Sequence, residues 1–422
     1  MHDVPAPISS QVNRSTDRHS AVRFWSSEIP VHAERAVDST LAYRPEERVM
    51  EISERRERSA RDLEVTWVPD AAGPIQFVTA EGEVTEAGRA HGIEAELARI
   101  LYRDMSRARR LDREALALQR QGELGLWLQS WGQEAAQVGS IHALDRSDYV
   151  FPSYREHAAA MVRGVKPEEL LVQWRGSAHA GWDPSDCNFH FYSLVLGTQT
   201  LHATGYAMGS ALDGGNHVVA TYFGDGAASQ GDVNEAFNWA AVRSLPVLFI
   251  CQNNQWAIST PTSLQYGTPL HQRAAGFGLR TFYVDGNDAL AVHAVTSAAA
   301  DLVRVGEGPA LIEAVTFRMA GHSTSDDPTK YRDAAELEAW ELKDPLKRLR
   351  VVLERLDTPQ SFFADLNSEL ESLAVEVRRA CHAIADPDLD AAFANVYAEP
   401  HPLVDAERLA HREFVESMTV GG

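Results

Sequence analysis

The chain has little that would carry it into a membrane or onto nucleic acid. No stretch approaches the ~18 uninterrupted apolar residues of a membrane-spanning helix. The opening residues, MHDVPAPISSQVNRSTDRHS, lack the apolar segment of a secretory signal. They carry aspartates beside arginines, which argues against a mitochondrial transit peptide and makes the cytoplasm the expected compartment. Cysteine is scarce. Cys187, Cys251 and Cys381 stand far apart with no CxxC, so reduced, structural thiols are expected rather than a disulfide or zinc framework. Positive charge is in deficit, 39 Lys and Arg against 60 Asp and Glu, and a net charge of −21 would repel nucleic-acid phosphates. No GxGxxG follows a first strand, which removes the dinucleotide-binding fingerprint. Internal repeats and low-complexity tracts are also missing. What remains is 422 residues, 44% apolar and 23% charged, enough for one substantial core with appendages.

The chain is organised around YFGDGAASQGDVNEAFNWAAVRSLPVLFICQNNQWAISTP, Tyr222 to Pro261. An apolar run, His217 to Phe223, reads as a strand and stops at Gly224-Asp225-Gly226. Val233, Phe237, Ala240 and Ala241 then recur at helical spacing. Pro246 restarts the chain as a second strand, Val247 to Cys251, which ends near Asn253-Asn254. Strand, glycine turn, helix, strand is a βαβ unit, and its polar tips fall at the carboxyl ends of parallel strands, where open α/β sheets bind ligands. Asp225 and Asn254 offer hard oxygen donors suited to Mg²⁺, which often shares its shell with phosphates. Gly224 and Gly226 let backbone approach a phosphate without a Cβ, and the following helix turns its positive end to the same place. A lone GDG would be a capped loop; GDG and NN at two strand ends together point to a metal-bridged diphosphate.

GDG, a spacer and NN resemble the thiamine diphosphate motif. From about Gly88 onward the chain resembles the alpha subunit of the decarboxylating component of 2-oxoacid dehydrogenase complexes. The resemblance implies an α/β thiamine diphosphate-binding fold, a parallel sheet flanked by helices, with an N-terminal extension (1–85), a diphosphate-binding domain (86–345) and a helical C-terminal region (346–422). It implies Mg²⁺ on Asp225, Asn254 and the Trp256 carbonyl, with backbone at Gly226 and Ala228 meeting the diphosphate. Tyr154 and Arg155 match a Tyr-Arg pair whose arginine grips the diphosphate; the bland alternative for Arg155 is a surface ion pair with Glu156. Leu196 matches the residue that props up the bent cofactor. Gln252 stands where some relatives have a phosphate-binding arginine, which makes that contact neutral here. Arg318 and His322 match the active-site loop, near the diphosphate and the reacting carbon. Ser193, the Val195 carbonyl, Thr198 and Gln199 match a potassium site of some members, Leu194 departs from it, and potassium stays open.

Elsewhere the reading is coarser. Arg48 to Asp62 has the composition of a helix with little to bury, and Val65 to Val68 and Ile75 to Val78 read as short strands. Ile93, Leu97, Ile100, Leu101, Met105, Leu111, Leu116 and Leu118 mark a long helix, and Gln133 to Ser140 matches the family's short helix leading to the cofactor. His179 and His190, in a turn-rich segment that departs from the family's loop, could face the site or simply the surface. Ala203, Gly205, Ala207 and Gly209 line a small-residue helix suited to close approach by a partner. Thr281 to Val284 and Ala310 to Phe317 read as strands, with Asp288 capping a helix from Ala289 to Val303. Past Ala334 the apolar residues recur at helical spacing, broken at Asp386-Pro387-Asp388.

The implied activity is oxidative decarboxylation of a 2-oxoacid with acyl transfer to the lipoyl group of an acyltransferase component. Residues 253–263 and 322–328 are more similar to branched-chain members, with pyruvate or acetoin as the alternative substrates and a silent assembly module as a third reading. Ser323 matches a position phosphorylated in mitochondrial relatives, a control not expected here. No second α/β domain is present to supply the glutamate that faces the aminopyrimidine ring. A beta subunit, in an alpha2-beta2 heterotetramer, is therefore the expected partner.

Overall fold

A computed structural model of the chain describes residues 73–419. The expected helix at 48–62 and strand at 65–68 lie outside the described residues. Five strands, β1 (Tyr149–Phe151), β2 (Val219–Gly224), β3 (Val247–Asn253), β4 (Arg280–Asp285) and β5 (Ala310–Val315), form one sheet in the order β1-β2-β3-β5-β4. Every neighbouring pair is parallel. Alternation along the central strands explains why this sheet is buried on both sides. Leu248 and Ile250 enter one hydrophobic cluster, while Val247, Phe249 and Cys251 enter the other. A strand with two apolar faces has to be covered twice, which is the pattern of parallel sheets.

The covering helices divide accordingly. On one face lie α1 (Ala95–Arg120), α2 (Glu134–His142) and, on the other, α3 (Thr198–Leu212) and α4 (Gly231–Val242). The first face is completed by α5 (Ala289–Arg304), α6 (Pro345–Arg355) and α7 (Gln360–Ala383), whose Leu349, Val352, Phe363 and Val377 join the same core. Helix α1 buries Leu101, Met105, Leu111 and Leu118 as its periodicity predicts, although Ile100 stays 38% exposed. Asp288 caps α5 as expected, its Oδ1 accepting from Ala291 N–H at 3.1 Å. Its Oδ2 accepts from Phe77 and Val78 N–H, each at 2.7 Å. With Arg348 ion-paired to Asp285 at 2.8 Å, this ties the segment around Phe77 to the β4 edge. Removing one partner of such a buried pair costs about 3–5 kcal/mol.

Beyond Ala383 the chain runs through a short helix to α8 (Pro402–Thr419), which leaves Leu403, Leu409 and Phe414 exposed. The three cysteines are free thiols. Among the described residues no helix is long and apolar enough to cross a membrane. The architecture leaves the carboxyl ends of β2, β3 and β5 side by side.

Candidate active site

Asp225 follows β2 directly and is 1% exposed. Its Oδ1 accepts from Asn254 N–H at 3.2 Å, and its Oδ2 accepts from Gln265 Nε2 at 2.8 Å and Thr262 Oγ1 at 3.3 Å. Burial pushes this carboxyl up from its ordinary range, against the pull of those hydrogen bonds. A buried carboxylate held only by neutral donors is a place for a cation. Asn254, just past β3, donates through Nδ2 to Gln133 Oε1 at 3.2 Å, which fixes the sense of its amide. Its Oδ1 accepts from Trp256 N–H at 3.2 Å. The Trp256 carbonyl accepts from Arg318 Nη1 at 3.1 Å and keeps a second lone pair.

The glycines behave differently from one another. A Cβ on Gly226 would lie 2.8 Å from Ala257 Cβ, so only glycine lets the turn pass under the Trp256–Ala257/Thr260–Pro261 hairpin. A Cβ on Gly224 would meet nothing nearer than Gln252 O at 4.0 Å, so there the space belongs to the cavity. Helix α4 does not follow the turn at once, because a 3₁₀ turn, Ala227–Ser229, intervenes.

Two guanidiniums reach the same space. Arg155 is 5% exposed and is no surface ion pair: Nη1 donates to Gln129 O at 2.7 Å and Nη2 to His322 O at 2.9 Å. Arg318, fully buried after β5, donates from Nη2 to Ile258 O at 2.6 Å and Tyr331 Oη at 2.8 Å. Burial and the neighbouring Arg155 push Arg318 down to about 10. Two like charges that disfavour each other, with no carboxylate ion-paired to either among the described residues, suit an anion of high charge. Ile258, whose carbonyl receives Arg318, sits at φ +53°, a costly conformation for a β-branched residue.

His322 lies on the loop after β5. Its N–H donates to Asp326 Oδ2 at 2.7 Å, and Tyr331 donates to the same oxygen. Arg332 pins the loop from below, donating to the carbonyls of Arg318, Met319 and Ala320. Burial, then the Arg155 and Arg318 charges, push the imidazole down to about 4, so the ring is neutral at neutral pH. Its Nδ1 faces Arg155 Nη2 at 3.5 Å, a donor, which leaves the ring proton on Nε2.

A cavity of about 480 Å³ joins these groups. Tyr154, Arg155, Leu196, Gly224, Asp225, Gly226, Gln252, Asn254, Trp256, Arg318 and His322 all line it. Ala228 does not: it is buried beneath, its carbonyl accepting from Arg273 Nη2 at 2.5 Å. His179 and His190 also stay away, packed with Phe191 and with the aromatic rings of Tyr149 and Phe151 at the β1 edge. The sequence did not mark Gln265 or Thr262 as partners of Asp225, and it offered Glu156 only as an ion-pair partner for Arg155. Gln133 was visible only as the first residue of a segment.

The fold and the cavity at its strand ends define an α/β protein with a ligand site at the carboxyl edge of its sheet, and comparison with known proteins gives its family. The chain belongs to the dehydrogenase E1 component family, whose model matches residues 102–380. It is 43% identical over 338 residues to the 3-methyl-2-oxobutanoate dehydrogenase subunit alpha of Mycobacterium tuberculosis, covering 79% of this chain and 92% of that one. It is 36% identical over 344 residues to the mitochondrial 2-oxoisovalerate dehydrogenase subunit alpha 2 of Arabidopsis thaliana, covering 77% of this chain and 71% of the relative. The Staphylococcus aureus pyruvate dehydrogenase E1 component subunit alpha is 39% identical over 282 residues, covering 66% and 76%.

Proposed function

We propose that the chain is the alpha subunit of a branched-chain 2-oxoacid dehydrogenase. It would decarboxylate 3-methyl-2-oxobutanoate and its analogues and pass the acyl group to the lipoyl group of an acyltransferase component. The observation that carries this is the convergence, in one cavity at three strand ends, of an oxygen donor set, two anion-seeking guanidiniums and a neutral histidine. The residues present fit thiamine diphosphate and Mg²⁺: Asp225, Asn254 and the Trp256 carbonyl would hold the metal through hard oxygen donors. Bound thiamine diphosphate supplies the carbanion and electron-sink chemistry that lets a 2-oxoacid lose CO₂. Arg155 and Arg318 neutralise the diphosphate. His322 presents Nε2–H to the substrate's carboxyl or carbonyl oxygen and steadies charge there, while its backbone is held by Asp326. Potassium at the loop before α3 is supported by Gln199 Oε1, a buried acceptor without a donor.

The cavity mouth is incomplete. Leu194, Leu196 and Ile258 line it and remain 53%, 39% and 53% exposed, and Val195 beside them is 70% exposed. A beta subunit in an alpha2-beta2 assembly would cover this rim and supply the missing glutamate, in the cytoplasm. Pyruvate is the competing substrate, favoured by the staphylococcal relative. The test is thiamine diphosphate- and Mg²⁺-dependent decarboxylation by the chain alone and with its beta subunit, on branched 2-oxoacids and on pyruvate. Activity only in the pair, with branched acids preferred, is expected. Preference for pyruvate would overturn the substrate assignment, and no cofactor binding by a folded pair would overturn the function.

A further inference from the structure

A carboxylate interrupts the apolar run of β5. Glu313 is 2% exposed, and a buried acid has to be met by donors. It shares a face of the sheet with Asn253, the last residue of β3, because Cys251 pairs with Glu313 and Asn253 lies two residues further on. The Asn253 amide nitrogen donates to Glu313 Oε1 at 2.7 Å. The other oxygen, Oε2, accepts from the His271 backbone N–H at 2.9 Å and lies 2.6 Å from His271 Nδ1, on the short helix Leu270–Gly276. None of these three residues lines the cavity.

Their hydrogen bonds nevertheless run towards it. With its nitrogen committed to Glu313, Asn253 turns Oδ1 to the loop, where it accepts from Gln255 N–H at 3.2 Å. That contact closes a turn around Asn254, a use to which asparagine side chains are suited. Gln255 sits there at φ +71°, a left-handed backbone that a residue other than glycine adopts only when held. Its own Nε2 donates to Thr316 O at 2.8 Å. Two of the oxygen donors proposed for Mg²⁺ flank this residue, Asn254 before it and the Trp256 carbonyl after it. Thr262 extends the link to the third, sharing its hydroxyl between Asn253 Oδ1 at 3.4 Å and Asp225 Oδ2 at 3.3 Å.

We infer that Glu313 is a positioning residue for the metal: it holds Asn253 in the one amide sense that keeps the Gln255 turn, and the turn sets Asn254 and the Trp256 carbonyl in place for Mg²⁺. The inference rests on the functional reading given above. Of the two neighbouring asparagines, one meets the metal and the other shapes its site. A carboxylate is required at 313 because both of its oxygens accept. Glu313→Gln leaves a single acceptor, so either Asn253 or the His271 N–H loses its bond. An amide nitrogen turned on Asn253 would reverse it and set its NH₂ against the Gln255 N–H. Asn253→Asp fails the other way, placing two carboxylates together. Both changes at once restore every bond: the new amide donates to the new carboxylate, whose other oxygen still meets the Gln255 N–H, and the amide oxygen still meets the His271 N–H. Size and net charge stay those of the wild type.

The experiment uses the complex with the beta subunit at saturating thiamine diphosphate. Mn²⁺ is the probe of the Mg²⁺ site, free ion is read by electron paramagnetic resonance, and thermal unfolding is recorded alongside. Glu313→Gln and Asn253→Asp should each weaken Mn²⁺ binding about 10–100-fold, the usual effect of losing a group that orients metal ligands. The double exchange Asn253→Asp/Glu313→Gln should bring the Kd back to within a few-fold of wild type. A merely structural acid would lower the melting temperature of the single variants and leave their Mn²⁺ affinity unchanged, which would overturn the inference with the functional reading intact. A double exchange that binds no better than the weaker single variant would overturn it too. Should a single variant fail to fold, the double exchange decides: affinity near wild type supports the inference, and a tenfold or greater loss in a folded complex overturns it. No binding of Mn²⁺ by the wild-type complex would overturn the functional reading, and this inference with it.

Discussion

At the scale of single residues, the site works by controlling which groups are charged. Burial raises the Asp225 carboxyl, and only neutral donors meet it, so the Mg²⁺ of the proposed function would depend on its carboxylate. Replacing residues that merely support a metal ligand costs about 10–100-fold in metal affinity, and on the proposed function Asp225→Asn would remove a ligand itself. We therefore expect Mg²⁺-dependent thiamine diphosphate affinity in the complex to fall by about 100-fold or more, measured by fluorescence quenching. His322→Asn should lower kcat by about 10²–10⁴ while cofactor affinity stays within a few-fold, a split that a merely structural histidine would not give. His157 offers a separate check on burial. Burial holds it neutral, against the pull of the Leu128 carbonyl bonded to its Nε2, and it takes up its proton only near 3, against 6.5 when unfolded. Its stabilising contribution is therefore whole above about pH 6.5 and is lost as pH falls towards 3. By pH 5 the wild type should lose about 2 kcal/mol more than His157→Gln does, read from urea unfolding at both pH values. Asp225 and Asn254 were legible because each sits at the tip of its own strand signal. Gln265 and Glu156 were not, since only folding brings a polar side chain 40 or 69 positions away onto the motif, and no periodicity marks such residues.

At the scale of elements, sequence pattern succeeded where burial is one-sided or complete over several residues. The apolar runs announced β2, β3, β4 and β5, with ends displaced by one or two positions; β3 and β4 run past their apolar residues to the polar Gln252-Asn253 and Asp285, and β5 stops at Val315, short of Phe317. The interposed 3₁₀ turn at Ala227–Ser229 was hidden, as three small residues carry no period. Contact geometry decides the next prediction. Gly226→Ala places a methyl 2.8 Å from Ala257 Cβ, so the hairpin has to shift, at a cost of about 1–3 kcal/mol. A lower melting temperature together with weakened thiamine diphosphate binding is expected. Unchanged binding would show that the hairpin and the Trp256 carbonyl move without consequence. Ile258 has a left-handed backbone because it opens the two-residue turn between Ala257 and Thr260, a place where a sequence would lead one to expect glycine or asparagine.

At the scale of the whole molecule, the question is what one chain leaves undone. The apolar rim around the cavity has no cover within the described residues, and the open small-residue side of α3, where added Cβ atoms at Gly205 and Gly209 meet nothing within 4 Å, leaves room for another helix. Val195→Asp should cost the assembly about 2 kcal/mol or more if this rim is central to the contact. Gel filtration of the co-expressed pair would show dissociation at low micromolar concentration where the wild type stays associated. Co-elution unchanged at every concentration would place the contact elsewhere. The same rim has a consequence for supply. A chain that leaves its ribosome ahead of its mate carries this greasy lip into a crowded solution, where other surfaces compete for it. With the beta subunit seated there as proposed, balanced and closely timed synthesis of the two chains would follow from residues 194–196, and a surplus of this one should end in inclusion bodies or in a protease.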